Sequence, residues 1–306
     1  MAPGGTPTAR LMGDLPWGTG MWMKSACGMA ERLLKKNIGG KIKYDYTIII
    51  SMENTMNPVL EHLCAHRSER DFSDRPVGDD TLAAVFEATR RAPTWNNAQN
   101  VSWVAVRDPR TKAALARCSG NQAWIARAPV FVVLLMDFYK TELAAGRHGR
   151  RQAVLDNVNS VLIGALDTGI LMGTMMAAAR AAGLGVCPIG GVRRGMLEVI
   201  ELLRLPRLVA PLAGVCLGYL NTASEVRKPR MALEASWHAE AYDRDRVAGA
   251  IDALDADMDA YSRGLGREGA QSWSDAVSSR YAADAYGGVG PALRRQGFCF
   301  EWEEGV

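Results

Sequence analysis

The chain has 306 residues, of which 48% are hydrophobic and 23% charged, a composition that supports a large core and excludes a mainly disordered protein. The formal net charge is +3, from 36 basic and 33 acidic residues. Residues 1–51 carry seven basic and three acidic side chains, a net charge of +4. Residues 52–306 carry the remaining 29 basic and 30 acidic side chains, a net charge of −1. Such a near-neutral body has no overall field to attract nucleic acid or an anionic membrane, so we expect neither partner.

The cysteines and histidines follow no metal-binding pattern. The six cysteines contain no CxxC spacing, and the four histidines form no HExxH pair. In a chain of this length, that usage indicates reduced thiols and a cytoplasmic protein without a disulfide framework. We expect no metal site.

Residues 1–51 differ from the rest of the chain. They are rich in Gly, Met and Trp, follow no sustained period, and lack the apolar core of a signal peptide. They are interpreted as a disordered leader, or as translated sequence upstream of a start at Met52 or Met56. A membrane-surface helix at 31–36 is the less favoured alternative because its apolar face is one turn long.

Hydrophobic periodicity then predicts a series of helices and short strands. The first helix begins at Pro58, and the next spans Val77–Arg91 with Asp79 or Asp80 as its N-cap. The remaining predicted elements are, in order, a strand at Val101–Val106, helices at Lys112–Cys118 and Gln122–Arg127, a strand at Pro129–Met136, a long helix at Arg151–Ala182, strands at Val186–Ile189 and Leu212–Leu217 with a helix at Met196–Arg204 between them, and polar helices from Asp243 with breaks at Gly264–Gly269 and Gly287–Gly290.

The long predicted helix, Arg151–Ala182, is apolar on most faces. Asp156, Asp167 and Arg180 interrupt it, so no uncharged run reaches the ~18 residues of a membrane span. We therefore expect a buried helix at the centre of a core or in a subunit interface. Because the strands are few and the helices between them unequal, the predicted fold class is α+β, without a regular βαβ array.

Two cationic clusters could bind an anion. The first is His66-Arg67-Ser68-Glu69-Arg70, and the second is Arg227-Lys228-Pro229-Arg230. Guanidinium groups suit phosphate oxygens, although a solvated helix end or a charged loop would have the same composition.

Two further segments offer backbone and amide groups. The loop Arg91–Gln99 carries Thr, Asn and Gln side chains that could read the edge of a planar heterocycle, or that could simply form turns. The segment Gly183–Gly191 superficially resembles a dinucleotide-binding loop. It follows a helix, however, and Pro188 stands at the place of the third glycine, so a Rossmann assignment fails.

Taken in their order and spacing, these motifs resemble the nitroreductase-like flavoproteins, in particular the oxygen-insensitive NADPH nitroreductase and flavin reductase branch. The resemblance runs from about Asn57 to about Trp302 and includes Ser119-Gly-Asn-Gln122, Leu217-Gly-Tyr219 and Ser272-Trp-Ser-Asp275. It implies a nitroreductase-type α+β fold in residues 52–306: a small, mainly antiparallel sheet flanked by helices, a long central helix that forms a homodimer, and a C-terminal helical lid or extension from about residue 243.

The resemblance also implies FMN bound in a groove between two subunits. The implied FMN contacts are His66, Arg67, Ser68, Lys228 and Arg230 at the phosphate and ribityl chain, Arg70 at the pyrimidine edge, Thr94, Asn96, Asn97, Gln99 and Gln122 at polar edges, and Ile189, Gly190 and Gly191 beside N5. Arg263 and Arg267 fall where an NADPH 2′-phosphate would be met. The chemistry belongs to FMN, so no catalytic side chain is assigned.

The implied activity is a two-electron, ping-pong reduction of nitroaromatics and quinones, with NADPH or NADH as the electron donor. The alternatives are a flavin reductase that releases reduced FMN, a non-catalytic flavin-binding protein, and a dehalogenase or dehydrogenase of the same fold. Departures from the family pattern bear on the donor and acceptor. Thr94-Trp95-Asn96 replaces a serine-rich run, and Pro188 stands where close relatives carry an aromatic residue. The spacing between the Arg263–Arg267 segment and Trp273 is longer by about one residue, and Tyr286 stands where a relative would carry an arginine.

Overall fold

The computed structural model describes residues 37–38, 41–42, 57–222 and 226–298. The chain divides into two compact units, residues 1–56 and residues 57–306. In the first unit, the described residues form an antiparallel pair of two-residue strands, β1 (Asn37–Ile38) and β2 (Lys41–Ile42). The rest of the expected leader, with its alternative helix at 31–36, lies outside the described residues.

The second unit is built on an antiparallel sheet of four strands. These are β3 (Val101–Val106), β4 (Val130–Asp137), β5 (Gly185–Ile189) and β6 (Val209–Gly218), in the order β3-β4-β6-β5. All eight residues of β4 are buried, which explains why this strand is an almost continuous apolar run. The sheet confirms the predicted α+β class and places β5 at an open edge.

Helices surround the sheet at the predicted places, and one short helix after β4 was not predicted. They are α1 (Pro58–Cys64), α2 (Asp79–Thr89), α3 (Pro109–Cys118), α4 (Ala123–Arg127), α5 (Tyr139–Gly146), α6 (Asn159–Ala181), α7 (Met196–Leu202), α8 (Arg244–Gly264), α9 (Trp273–Tyr281) and α10 (Val289–Arg295). The missed helix, α5, has no marked apolar face and contains no buried residue, so its periodicity gave no signal.

Local caps explain where the first helices begin. The Asn57 side chain accepts a hydrogen bond from the Val59 amide (2.9 Å) and starts α1. Gly78 is the N-cap of α2, so the prediction of Asp79 or Asp80 was wrong by one or two residues. Both aspartates lie instead in the first turn, where negative charge favours the positive end of the helix dipole.

Side chains of β4 alternate between two cores. Phe131, Val133 and Leu135 share one core with side chains of α3, α4 and α7, whereas Val130, Val132 and Leu134 share the other with α2 and α6. This alternation is the two-residue period of a strand covered on both faces. The sheet is therefore the middle layer of the unit and fixes the positions of the loops at its ends.

The long helix is shorter than predicted. A separate 3₁₀ turn occupies Ala153–Asp156, and α6 begins only at Asn159. The side chain of Asn157 accepts a hydrogen bond from the Asn159 amide (2.8 Å), and the Asn157 carbonyl accepts one from the Ser160 hydroxyl (2.9 Å). These bonds satisfy groups at the helix start and explain the break.

One face of α6 is exposed in this chain, so α6 is not buried at the centre of the core on all sides, and the alternative of a subunit interface stays a prediction. Leu162, Leu166 and Ile170 are 54%, 68% and 43% exposed, while Leu171 and Met175 pack against the sheet. By length and composition alone this helix could cross a membrane, a property that it shares with the core helices of many proteins. The helix α6 therefore has two apolar faces. One packs against the sheet, and the other is exposed in this chain.

Candidate functional site

The first cationic segment lies along the open edge of the sheet. The Glu69 amide donates to the Val186 carbonyl of β5 (2.8 Å), and Phe72 forms a bridge with Leu220 just beyond β6. These backbone bonds hold residues 66–70 at a fixed place beside the edge strand. The sequence predicted the cluster but not this attachment.

Arginines from three elements come together at this edge, next to the C-terminus of α1. Arg67 forms an ion pair with Glu69. Arg180, in the last turn of α6, donates to the Ala65 carbonyl (3.1 Å), and Arg227 approaches the Cys64 carbonyl at 3.4 Å. We call Arg67, Arg180, Arg227 and Arg230, together with His66, the cationic cluster.

The charges of the cationic cluster act on one another. Burial lowers the pKa of His66, and the positive charges of Arg180 and Arg230 lower it further. Burial likewise lowers the pKa of Arg180, with Arg67 and Arg227 adding to the effect. A cavity of about 200 Å³ beside the cluster is lined by Arg67, Glu69 and Arg180 among others. Glu69 offsets part of this charge, but one carboxylate faces several guanidinium groups, so the spot keeps an excess of positive charge that an anion would offset.

Two other residues predicted to contact the phosphate, one from each cationic segment, form fewer contacts in this chain. Ser68 is half-buried, and its carbonyl accepts a long bond from Arg70 (3.4 Å). Lys228 is exposed, and its carbonyl accepts a bond from the Arg230 side chain (3.2 Å). Arg180 was not predicted, because in the sequence it looks like an interruption of an apolar helix.

The lowered pKa of His66 predicts a pH dependence of stability. Because the unfolded chain has the ordinary pKa of 6.5, it binds a proton more readily than the folded chain, so the free energy of unfolding should fall as the pH drops below that value. Urea unfolding between about pH 7.5 and about pH 5.5 measures this loss. His66→Gln should remove part of it; parallel losses in both proteins would contradict the prediction.

A second group of predicted residues packs around Gly191, directly after β5. The Gln122 side chain donates to the Ser119 carbonyl (2.8 Å). A Cβ atom on Gly191 would lie 2.3 Å from that carbonyl oxygen and 2.4 Å from Nε2 of Gln122. Only glycine fits here without movement. Ile189 is buried, while Gly190 is exposed. We call this arrangement the glycine cradle, formed by residues 119–122 and 189–191.

Arg70 lies near the two elements that flank the glycine cradle. Its guanidinium lies 5.0 Å from the centre of the Trp124 ring in α4. Its charge also reaches Cys187 of β5, where burial raises the pKa of the thiol and Arg70 partly offsets that rise. Arg70 therefore stands between α4 and β5.

The Thr94–Gln99 loop has an unusual backbone. Asn96, Asn97 and Gln99 have positive φ angles of 46°, 54° and 52°. The Thr94 hydroxyl accepts a bond from the Gln99 amide (3.0 Å), and the Trp95 amide donates to both carboxylate oxygens of a buried residue of α6, Asp167 (3.1 and 3.2 Å). Asp167, missed by sequence reasoning, thus fixes a loop that would otherwise be costly to hold in this conformation.

Within one chain, the Thr94–Gln99 loop lies apart from the cationic cluster. It precedes β3, at the edge of the sheet opposite β5. Its anchor Asp167 and the cluster residue Arg180 are thirteen positions apart on α6, or roughly 20 Å at the helical rise per residue. One chain alone therefore does not bring Gln99 to the place where Arg67 and Arg230 meet.

The two arginines expected to meet an NADPH phosphate lie at the end of α8. Arg263 pairs with Asp259 (2.8 Å), and the Arg267 amide donates to the Ser262 carbonyl (2.9 Å). Both are exposed. The contacts described for Arg263 and Arg267 are with residues of α8, and none of them reaches the glycine cradle.

A pair of arginines beside the glycine cradle was not predicted. Arg193 donates to the Leu212 carbonyl (2.6 Å), and its guanidinium lies 5.1 Å from the centre of the Tyr286 ring. The guanidinium of Arg194 lies 6.0 Å from the same ring. Tyr286, noted above as a departure from the family pattern, therefore stands next to the turn that follows Gly191.

The chain matches two family descriptions in tandem. Residues 63–219 match the Nitroreductase family, and residues 228–301 match the Nitroreductase family, C-terminal domain. A Bacillus subtilis protein named FMN reductase [NAD(P)H] is 38% identical over 250 residues, which cover 80% of this chain and all of that protein. A Vibrio harveyi protein named NADPH-flavin oxidoreductase is 32% identical, with coverage of 79% and 98%.

Solved structures show the same fold. A structure described as Bacillus megaterium NfrA2 is similar with a TM-score of 0.78 and 37% identity, covering 81% of this chain and all of the other. The Vibrio harveyi NADPH:FMN oxidoreductase complexed with NAD⁺ is similar with a TM-score of 0.69 and 32% identity, covering 79% and 98%. Fold, sequence and the order of the motifs agree: the chain belongs to the nitroreductase family.

Proposed function

We propose that this protein is an FMN-dependent NAD(P)H oxidoreductase that reduces nitroaromatics and quinones two electrons at a time. The observation that carries the proposal is the cationic cluster at the edge of the sheet, with Arg70 next to it and near α4 and β5, the elements that flank the glycine cradle, in a member of the nitroreductase family. Relatives named FMN reductase and NADPH-flavin oxidoreductase support the same cofactor and electron donor.

The residues present fit FMN at its charged end. A phosphate carries up to two negative charges and three acceptor oxygens, and Arg67, Arg180 and Arg230 offer matching guanidinium donors. Positive charges collected at a partly buried place repel one another, and an anion removes that cost. In this proposal Arg67, Ser68 and Arg230 hold the phosphate, with His66 and Lys228 beside them.

The residues also fit a flat ring at the glycine cradle. Gly191 cannot carry a side chain, and Gly190 is exposed with no heavy atom closer than 3.6 Å to a Cβ position. A planar ligand can therefore approach the exposed backbone of Gly190 closely, while the buried Gly191 keeps the turn packed against residues 119–122. The Arg70 guanidinium is placed to stabilise negative charge on the pyrimidine edge of the ring.

The protein's own part in the reaction is to bind, orient and exclude water. Bound FMN supplies two-electron redox chemistry at N5, with hydride as the transferred species. If the glycine cradle held the flavin ring, the nicotinamide and then the acceptor would use the same site, and we expect ping-pong kinetics. No acid–base side chain is assigned.

We propose that the working form is a homodimer. The exposed face of α6, with Leu162, Leu166 and Ile170, is an apolar surface of the kind that a second subunit covers. Asp167 holds the Thr94–Gln99 loop on this same helix. Pairing through α6 would offer the loop of one subunit to the cationic cluster of the other, which would account for their separation within one chain.

A flavin reductase that releases its reduced product is the second candidate, because the Bacillus subtilis relative bears that name. The two activities differ in whether FMN stays bound during turnover.

The described cysteines, Cys64, Cys118, Cys187 and Cys216, are free, which supports the proposed cytoplasmic setting.

An anaerobic titration tests the proposed function. Protein loaded with FMN and separated from free flavin should lose its yellow colour on addition of one equivalent of NADPH or NADH, and a nitroaromatic or a quinone should restore the colour. Flavin that passes a filtration membrane after reduction would favour the second candidate. A flavin that neither nicotinamide bleaches within minutes would overturn both and leave a flavin-binding protein.

A further inference from the structure

Arg194 is an unused positive charge beside the glycine cradle. Arg193, its neighbour, is half-buried and donates to the Leu212 carbonyl (2.6 Å), so it helps to build the turn after β5. Arg194 is exposed, and no ion pair joins it to a carboxylate of the described residues within 4.0 Å. Its charge is therefore available to a ligand.

The packing of Arg194 keeps that charge in a defined place. Its side chain lies against Gly120, where a Cβ atom would be 3.1 Å from a guanidinium nitrogen and 3.2 Å from Cδ. Gly120 has a φ angle of +83°, so glycine is required there on two grounds. The same short segment carries Gln122, whose side-chain amide packs on Gly191. Arg194 and the cradle therefore form one connected group.

Tyr286 adds an aromatic surface to this group. Its ring centre lies 6.0 Å from the Arg194 guanidinium, and the residue is 37% exposed. A guanidinium beside an aromatic side chain can bind a flat ligand ring that carries an anionic group. The ligand ring would pack on the tyrosine, and the planar guanidinium would donate to two oxygens of the ligand's anionic group.

We propose that Arg194 and Tyr286 form a subsite for an anionic substituent, so that the enzyme prefers planar aromatic acceptors bearing a carboxylate. The inference rests on the proposed function, which places the acceptor against the glycine cradle. It adds the substrate class: a nitroaromatic or quinone carboxylate, with its acidic group directed to Arg194. The competing explanation is that the arginine only packs against Tyr286 and holds the segment before α10.

Steady-state kinetics with matched acceptors test the proposal. With saturating NADPH, Arg194→Gln should lower kcat/KM for 4-nitrobenzoate by about tenfold and change that for the neutral 4-nitrobenzamide less than about twofold, the range expected for one lost charge-assisted hydrogen bond. Arg194→Lys, which keeps the charge, should recover part of the selectivity. Arg110→Gln, an equal loss of charge on the exposed first turn of α3, should alter neither acceptor.

A binding measurement separates this proposal from the proposed function. The dissociation constants of benzoate and benzamide are read from their perturbation of the visible absorption of bound flavin, without turnover. Arg194→Gln should weaken benzoate about tenfold and leave benzamide unchanged. Equal losses for both compounds, as a packing role predicts, or equal affinity of both proteins for benzoate, would overturn the subsite. Failure of NADPH to reduce the flavin would overturn the proposed function, while the benzoate titration would still decide the role of Arg194.

Discussion

FMN binding should weaken by about a hundredfold or more when Arg67 and Arg230 are both replaced by glutamine, because each charge-assisted hydrogen bond to the phosphate contributes about 1.5–3 kcal/mol. The two arginines lie far apart in sequence, yet the charge of Arg230 lowers the pKa of His66, the residue next to Arg67. Arg67 also pairs with the mostly buried Glu69, so its loss has a structural cost as well. The affinity is measured by quenching of flavin fluorescence.

Riboflavin provides the internal control for this double variant. It lacks the phosphate, so its weaker binding should change little between the natural sequence and the variant, whereas a general loss of structure would weaken both ligands. Arg230→Gln alone is the cleaner single change, because the bonds that the exposed Arg230 side chain makes within the described part of the chain go to the nearby carbonyls of Lys228 and Pro229 (3.2 Å each). If the double variant retained full FMN affinity, the phosphate would have to bind elsewhere.

Gly191→Ala should cost both stability and flavin affinity. The added methyl group would lie 2.3 Å from the Ser119 carbonyl oxygen and 2.4 Å from Gln122 Nε2, so the segment 119–122 or the turn after β5 must move. Overpacking of this kind lowers the free energy of unfolding by about 1–3 kcal/mol. Because Gln122 is displaced from the place where the ring is proposed to bind, FMN affinity should fall by about tenfold or more.

Gly249→Ala is the matched control for Gly191→Ala. Gly249 lies within α8 and is exposed, and a Cβ there would meet no atom within 4 Å. Alanine is the better helix former, so this variant should gain up to about 1 kcal/mol in unfolding free energy and leave FMN affinity unchanged. The prediction fails if Gly191→Ala unfolds at the same urea concentration as the natural sequence and binds FMN equally well.

The strands were the most predictable part of this fold. β3 was predicted with its observed bounds, and β4 within one residue at each end. A short, nearly continuous apolar run such as β4 is typical of a strand that is buried on both faces. The start of α6 was misjudged for a local reason: Asn157 and Ser160 form a capping arrangement within a stretch that is otherwise helical in character.

What covers an apolar surface could not be predicted in the same way. Leu166 and Leu171 lie on one helix and are equally apolar, yet one is 68% exposed and the other 1%. Periodicity records hydrophobicity, not the neighbour that buries it. The two surfaces of α6 could therefore be recognised as apolar, but not assigned to the core or to a second subunit.

The candidate site was predictable where its chemistry lies in short motifs. Arg67 and Gly191 lie in such motifs, the family resemblance adds Gln122, and the roles of all three in FMN binding stay predictions. Arg180 and Asp167 were missed because each is a single charged residue in a long apolar helix, and only the fold shows that one reaches the Ala65 carbonyl and the other the Trp95 amide. Positioning groups of this kind depend on contacts between segments far apart in sequence, which no local pattern records.

A crystal structure of the protein with bound FMN tests the central claim most directly. It should show the phosphate within hydrogen-bonding distance of the Arg67 and Arg230 guanidinium groups, and the flavin ring against Gly190 and Gly191. The Thr94–Gln99 loop should reach that flavin from the partner subunit. Flavin bound away from the cationic cluster, or crystals that stay colourless after soaking, would contradict the account.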